Sequence, residues 1–183
     1  NLPVIADIDN GYGNPTNVYR TVREFAKAGM AAVQIEDQVS PKRCGHFEGK
    51  DVISPEEMVY KLKAARDADG DIVIIARTDA IAVNGFEDAV MRAGQYAESG
   101  ADMIFVEAPR SIEQLRKIPK SITLPCVANM VEGGKTPIIS ADDLKGMGYK
   151  MVIYANLSMR AAVKAAYEAL VSLKKEGSSA DLT

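Results

Sequence analysis

The sequence predicts an α/β protein, and three observations carry that expectation. Six short, β-branched apolar runs alternate along the 183 residues with longer helix-like segments. Each run is nearly continuous rather than alternating, as in parallel strands covered on both faces. Polar residues recur where the runs end, and no Gly-x-Gly-x-x-Gly follows the first run. The last point favours a (β/α)₈ barrel of the triosephosphate isomerase (TIM) type over a doubly wound sheet, because a barrel keeps its chemistry at strand C-terminal ends. Six units are fewer than eight, so the expectation is one barrel domain over residues 1–183, carrying strands 3 to 8 and lacking its first one or two βα units.

The strands are predicted at residues 3–8, 31–36, 71–77, 102–108, 124–129 and 150–155, and the helices at 16–28, 55–68, 86–99, 111–117, 141–146 and 158–175. The helix at 55 opens Ser-Pro-Glu-Glu, with Ser54 as N-cap, Pro55 at the first helical position and Glu57 closing a capping box. The helix at 141 opens similarly from Ser140. The segments 26–36 and 97–107 share Ala, Gly, an apolar run and a terminal Glu at matching offsets. This weak βα repeat places Gly29 and Gly100 at helix C-terminal caps.

Composition narrows the partners. Net charge is −3 with 47% hydrophobic residues, and no basic stripe suggests nucleic acid or an anionic membrane. No apolar run approaches the roughly 20 residues of a membrane span. The opening LPVIADID reads as a strand rather than a signal peptide. Two cysteines make no disulfide framework, which points to a reducing, cytoplasmic setting.

The candidate chemistry lies at strand ends. Asp7 and Asp9 stand at i and i+2, so both carboxylates face one side. Either a cation such as Mg²⁺ or Mn²⁺ lies between them, or they cap the next helix and stabilise the DNGYGN turn. Gly11 and Gly13 are read as admitting a ligand close to the backbone. Glu36, Arg77, Glu107 and Asn129 end successive strands, as rim ion pairs or as one converging site. Cys44 sits in PKRCGHFEG among Lys42, Arg43, Gly45 and the single histidine, His46. Neighbouring cations favour its thiolate, suiting a general acid or a nucleophile. A lone Cys-Gly-His does not supply the roughly four ligands of structural zinc. Cys126 and Met30, Met103, Met130, Met147 and Met151 are expected to be core.

Lys-Arg-Cys-Gly-His with upstream QIEDQ, together with ARTDA (76–80), FVEA (105–108) and ANMVEGGKTP (128–137), resembles the isocitrate lyase and phosphoenolpyruvate mutase superfamily. The nearer resemblance is to its short-chain lyases of the 2-methylisocitrate and 2,3-dimethylmalate type. The resemblance implies a barrel with a mobile lid over about 40–49, bound Mg²⁺ (Mn²⁺ also serving) and a homotetramer with exchanged C-terminal helices. It implies that Asp7 and Asp9 hold the metal, with Glu36 acting through water. It implies catalytic roles for Cys44 as proton donor, with Lys42, His46 and Arg77. Substrate contacts would come from Cys44, Gly45, Arg77, Glu107, Asn129, Met130, Val131 and Arg160. The implied reaction cleaves a carbon–carbon bond of a 2-hydroxy di- or tricarboxylic acid, giving pyruvate or glyoxylate and a carboxylic acid. Oxaloacetate hydrolysis or decarboxylation, a phosphonomutase-like reaction, and an inactive binding module are the alternatives.

Overall fold

The structure is a computed structural model describing residues 2–45 and 47–180. Six parallel strands hydrogen-bond strictly in sequence order: β1 (Ile5–Asp7), β2 (Ala32–Glu36), β3 (Val73–Thr78), β4 (Met103–Val106), β5 (Cys126–Asn129) and β6 (Met151–Ile153). Helices α1 (Pro15–Lys27), α2 (Pro55–Ala68), α4 (Phe86–Ala97), α5 (Ile112–Ser121) and α6 (Ala141–Met147) connect them. A short α3 (Ala80–Val83) precedes α4, and α7 (Leu157–Glu176) follows β6. This is the arc of a partial (β/α)₈ barrel.

The strands are apolar on both faces because each face packs against something different. Val33, Ile35, Ile74, Ala76, Ile104, Val106 and Ala128 join the helix-side core, where α1 contributes Val18 and Val22. Ala32, Ile75, Phe105 and Val127 form a second cluster on the opposite, interior face, with Val73, Met103, Met151 and Ile153 against it. The register places Glu36 beside Arg77 and Arg77 beside Phe105. With a period of two residues, the interior face carries Ile75 and then Arg77 on β3, Phe105 and then Glu107 on β4, and Val127 and then Asn129 on β5. Apolar layers thus give way to polar groups toward the strand C-terminal ends.

Local chemistry sets the helix starts. Asn14 and Asn17 make the reciprocal capping box of α1, with Pro15 behind the cap. At α2 the Ser54 side chain accepts from Glu57 N at 3.1 Å, but the Glu57 carboxylate turns to Lys61 at 3.9 Å, so the expected box is only half formed. Gly29 and Gly100 do take positive φ after their helices. Helix α5 runs through Pro119 to Ser121, past the predicted end at 117; the Pro119 ring lies against Gly148. Helix α3 was not predicted. Four residues carry too little periodicity to register.

The expected close approach of a ligand at Gly11 is corrected. A Cβ there would lie 2.4 Å from Val18 Cγ2, so the glycine lets the strand-to-helix turn pack on α1. Helix α7 has no buried residue. Among the described residues no helix is long and apolar enough to cross a membrane.

Candidate active site

The strand ends bring most predicted residues to one rim. β1 stops at Asp7, whose Oδ1 accepts from Asp9 N at 2.9 Å and whose Oδ2 accepts from Gln34 Nε2 at 3.2 Å. Ile8 between them is fully buried in the helix-side core, so Asp7 and Asp9 share the interior side. Asp9 holds φ 51, a left-handed conformation that aspartate tolerates better than most residues. Lys42, on the loop after β2, lies 2.6 Å from Asp9 Oδ1 and 3.7 Å from Glu36 Oε1. Burial lowers the Lys42 pKa, but its bond to Asp9 and the charges of Glu36 and Asp7 outweigh this and hold it above the usual value.

Glu36 is 1% exposed, and neither carboxylate oxygen accepts a hydrogen bond from a described residue. Burial pushes its carboxyl up to about 7 against the pull of Arg77 and Lys42. Arg77 lies 3.3 Å from Glu36, 3.8 Å from Glu107, and binds Asp79 through two nitrogens at 2.9 and 3.1 Å. Burial works against the guanidinium charge, yet Asp79, Glu107 and Glu36 raise its pKa above the ordinary arginine value. The Arg77 guanidinium also covers the Phe105 ring, 5.3 Å from the centroid. The rim ion pairs and the converging site expected as alternatives are therefore one arrangement.

A cavity of about 270 Å³ opens above Arg77, lined by Lys42, Cys44, Gly45, Glu107, Asn129 and Val131 with Ala155 and Asn156. Gly45 fits because it has no side chain: a Cβ would lie 2.6 Å from both Arg77 Nη2 and Glu107 Cγ. Cys44 is exposed on its loop, and Cys126 is buried, as expected for a core thiol. Asn129 presents a buried Oδ1 without a hydrogen-bond donor among the described residues.

Other predicted residues lie elsewhere. Met130 is 1% exposed within the helix-side core and does not line the cavity. Arg160 is exposed on α7, in a separate groove with Met159, Val163, Lys164 and Tyr167. His46 falls outside the described residues.

Four residues that sequence reasoning passed over support the site. Gln38, 1% exposed, gives its amide to Arg43 O and takes Arg43 N, both at 2.9 Å. Lys50 reaches back into the same loop. Asp37, fully buried, accepts from Thr78 Oγ1, Asp79 N and Tyr96 OH at 2.7, 2.9 and 2.8 Å. Asp79 receives Arg77. Only Asp79 had a visible signal, standing two residues beyond Arg77 and hence on the same face.

Residues 1–174 match the family described as phosphoenolpyruvate phosphomutase. The chain belongs to the phosphoenolpyruvate mutase/isocitrate lyase superfamily. A 2-methylisocitrate lyase of Aeropyrum pernix is 50% identical over 99% of this superfamily member and 59% of the relative. A 2,3-dimethylmalate lyase of Eubacterium barkeri is 46% identical over 98% and 63%. The chain therefore spans about three fifths of the length of these relatives. Among solved structures, oxaloacetate acetylhydrolase with 3,3-difluorooxalacetate superposes with a TM-score of 0.92 at 37% identity, over 97% of this chain and 62% of that one. A phosphonopyruvate hydrolase complexed with oxalate and Mg²⁺ gives 0.80 at 34% identity, over 96% and 62%. These superfamily likenesses reach every element from β1 into α7.

Proposed function

We propose that this chain carries the carboxylate-reading half of a Mg²⁺-dependent carbon–carbon lyase acting on a 2-hydroxy di- or tricarboxylic acid. The observation that carries the reading is the 270 Å³ cavity in which Lys42, Arg77 and Asn129 surround an exposed thiol. Two cations and an amide suit substrate carboxylates, and Cys44 stands where a proton donor is needed. The lyases of A. pernix and E. barkeri support the same reaction class.

The donor set fits a magnesium ion. Among the described residues no three acidic, cysteine or histidine side chains form a ready-made cage. Mg²⁺ is usually held by one or two carboxylates, with water and substrate completing its shell. Asp7 and Asp9 supply those carboxylates, and the two oxygens of buried Glu36, ion-paired but accepting no hydrogen bond from a described residue, suit bridging water. Mn²⁺ would bind the same oxygen donors. When bound, the ion would polarise the substrate's hydroxyl and carboxylate.

The chain's own residues do the rest. Arg77 and Asn129 orient the leaving carboxylate, and Arg77 cannot drift because Asp79 holds it bidentately. The substrate's hydroxyl gives its proton to a rim carboxylate and becomes the carbonyl of the released oxo acid, while cleavage leaves the bonding electron pair on the carbon next to the leaving carboxylate, where fixed positive charge stabilises it. Cys44 Sγ then gives that carbon its proton. The loop carrying Cys44 excludes water while this carbon is basic. The active species is read as a homotetramer, consistent with the unburied apolar residues of α7.

Release of pyruvate or glyoxylate from 2-methylisocitrate and 2,3-dimethylmalate, and of oxalate and acetate from oxaloacetate, compared side by side in the whole protein, tests the reading. Product from either branched hydroxy acid, abolished by EDTA, is expected. The likeness to oxaloacetate acetylhydrolase favours a second reading, oxaloacetate hydrolysis, which turnover of oxaloacetate alone would select. No product from any of the three would sink both.

A further inference from the structure

The loop carrying Cys44 is an excursion between two pinned points. Gln38 bridges Val52 in an isolated antiparallel pair, Val39 N donates to Asp51 O at 3.0 Å, and Ile53 N donates to Asp37 O at 2.9 Å. These contacts close the neck. Within the loop, the Gln38 amide grips both backbone groups of Arg43. On the far side of Cys44, Lys50 Nζ donates to Gly45 O and to Phe47 O, the latter at 3.0 Å. Cys44 O accepts from Phe47 N at 2.9 Å, closing a turn. The thiol-bearing residue is thus bracketed by two side-chain clamps.

Lys50 differs from Gln38 in having a charge to satisfy. Its side chain is 1% exposed, and the carboxylate nearest its ammonium is Asp79 Oδ1 at 3.9 Å. Asp79 is itself fully buried and already holds Arg77 through two bonds. Its backbone N–H is in turn fixed by Asp37. One carboxylate therefore serves the loop's lysine and the cavity's guanidinium together. Burial lowers the Lys50 pKa and Asp79 opposes this most strongly, so a charged Lys50 leans on that carboxylate. Gly45, gripped by Lys50, rests directly on Arg77 and Glu107.

We propose that Lys50 and Asp79 form a latch that seats the Cys44 loop on the substrate-reading Arg77. Both are positioning residues. Neither lines the cavity, and each acts through a neighbour: Lys50 through the carbonyls around Cys44, Asp79 through Lys50 and Arg77. Swinging the loop away parts Lys50 from Asp79 and leaves that buried carboxylate with one cation fewer, so the closed loop is favoured while the pair is intact. The proposal rests on the lyase reading for its catalytic consequence but not for the latch itself.

The test separates the two. In the whole protein, limited trypsin digestion followed by intact mass measures cleavage at the Arg43–Cys44 bond, an opening event that needs no substrate. Lys50→Met keeps the length and removes the charge; cleavage should accelerate roughly tenfold or more, as for a loop losing closure free energy. Lys50→Gln is the second variant should the first not fold, and Lys50→Arg should restore much of the protection. Asp79→Asn should accelerate cleavage similarly, and the double variant should be no worse than either single one, because coupled partners are non-additive. With the substrate that is turned over, Lys50→Met should lower kcat far more than it raises KM, and Lys50→Arg should recover kcat. Wild-type cleavage rates in a folded Lys50→Met protein, or strictly additive effects of the two substitutions, would overturn the latch. Absence of turnover of every substrate by the unsubstituted protein, with the cleavage pattern as expected, would overturn the lyase reading and leave the latch standing.

Discussion

Cys44 and Cys126 are the same residue type in opposite surroundings, and they make the residue-scale expectations sharp. Cys44→Ser keeps the size and supplies a far weaker acid. Losing one positioned acid costs about 10²–10⁴-fold in rate, roughly 3–5 kcal/mol of transition-state stabilisation. Turnover should fall by that range while the melting temperature holds. Cys126 is 1% exposed and burial pushes its thiol up to about 11. A thiol whose pKa lies that high stays protonated at neutral pH, so iodoacetamide should label Cys44 first and Cys126 only after unfolding or at strongly alkaline pH. Cys126→Ser should instead cost stability, about 1–3 kcal/mol by denaturant titration, with chemistry intact. Gly45→Ala is the steric counterpart: its Cβ would collide with Arg77 and Glu107. The loop should unseat and kcat/KM should fall, with the melting temperature little changed. Much of this was legible in the sequence, because a cysteine among cations and a cysteine inside LPCVAN announce different environments. Lys50 and Gln38 were not, since their roles depend on loop carbonyls whose positions no local pattern encodes.

Strands and long helices were read closely at the element scale, because their apolar periods reflect burial that the structure also has. The strands came out shorter than their apolar runs; Pro3–Val4 and Leu124–Pro125 lie outside the strand bounds, though Val4 O and Pro125 O still accept from Ala31 N and Ile104 N. The meaning of the continuous runs needed three dimensions. The sequence could not say which alternate residues faced the helices and which the interior, and that division decides whether a side chain packs or reads substrate. The loop from Val39 to Asp51 makes its own prediction. Gln38→Ala removes the amide that pairs with both backbone groups of Arg43, worth about 1–3 kcal/mol of loop closure. Hydrogen exchange should quicken at Arg43 and its neighbours and stay unchanged in α1 and α2. Unchanged exchange at Arg43 would mean that the clamp is incidental.

On the scale of the whole molecule, the two proposed partners, a metal ion and further copies of the chain, each have a surface to test. On the rim that carries Asp7 and Asp9, Lys42 bridges Asp9 and Glu36. If those carboxylates hold the ion, MgCl₂ should raise the melting temperature, as a ligand at 100 times its Kd adds about 2.7 kcal/mol. Asp9→Asn should abolish that shift without unfolding the protein, and a shift that survived it would remove the assignment. Helix α7 presents Val163, Tyr167 and Leu170 at 64, 68 and 66% exposure, an apolar stripe that a solvated helix does not need. If it is an assembly surface, Val163→Lys with Leu170→Lys should reduce the mass found by light scattering from four chains to one, at unchanged helicity.

The alternation along β3 has a further consequence, for how this site can vary. Ile74 and Ala76 face the helices while Ile75 and Arg77 face the interior, so packing and chemistry are written in one reading frame. Deleting a single residue from β3 would turn Arg77 into the apolar helix layer and bring Ala76 to the cavity, exchanging the two alphabets at once. A lost residue is therefore far more damaging here than most substitutions. Length can change freely only in loops away from the clamped Cys44 segment, where no frame is kept. Related chains that differ in specificity are expected to differ by substitution in strands and by insertion in loops, never the reverse.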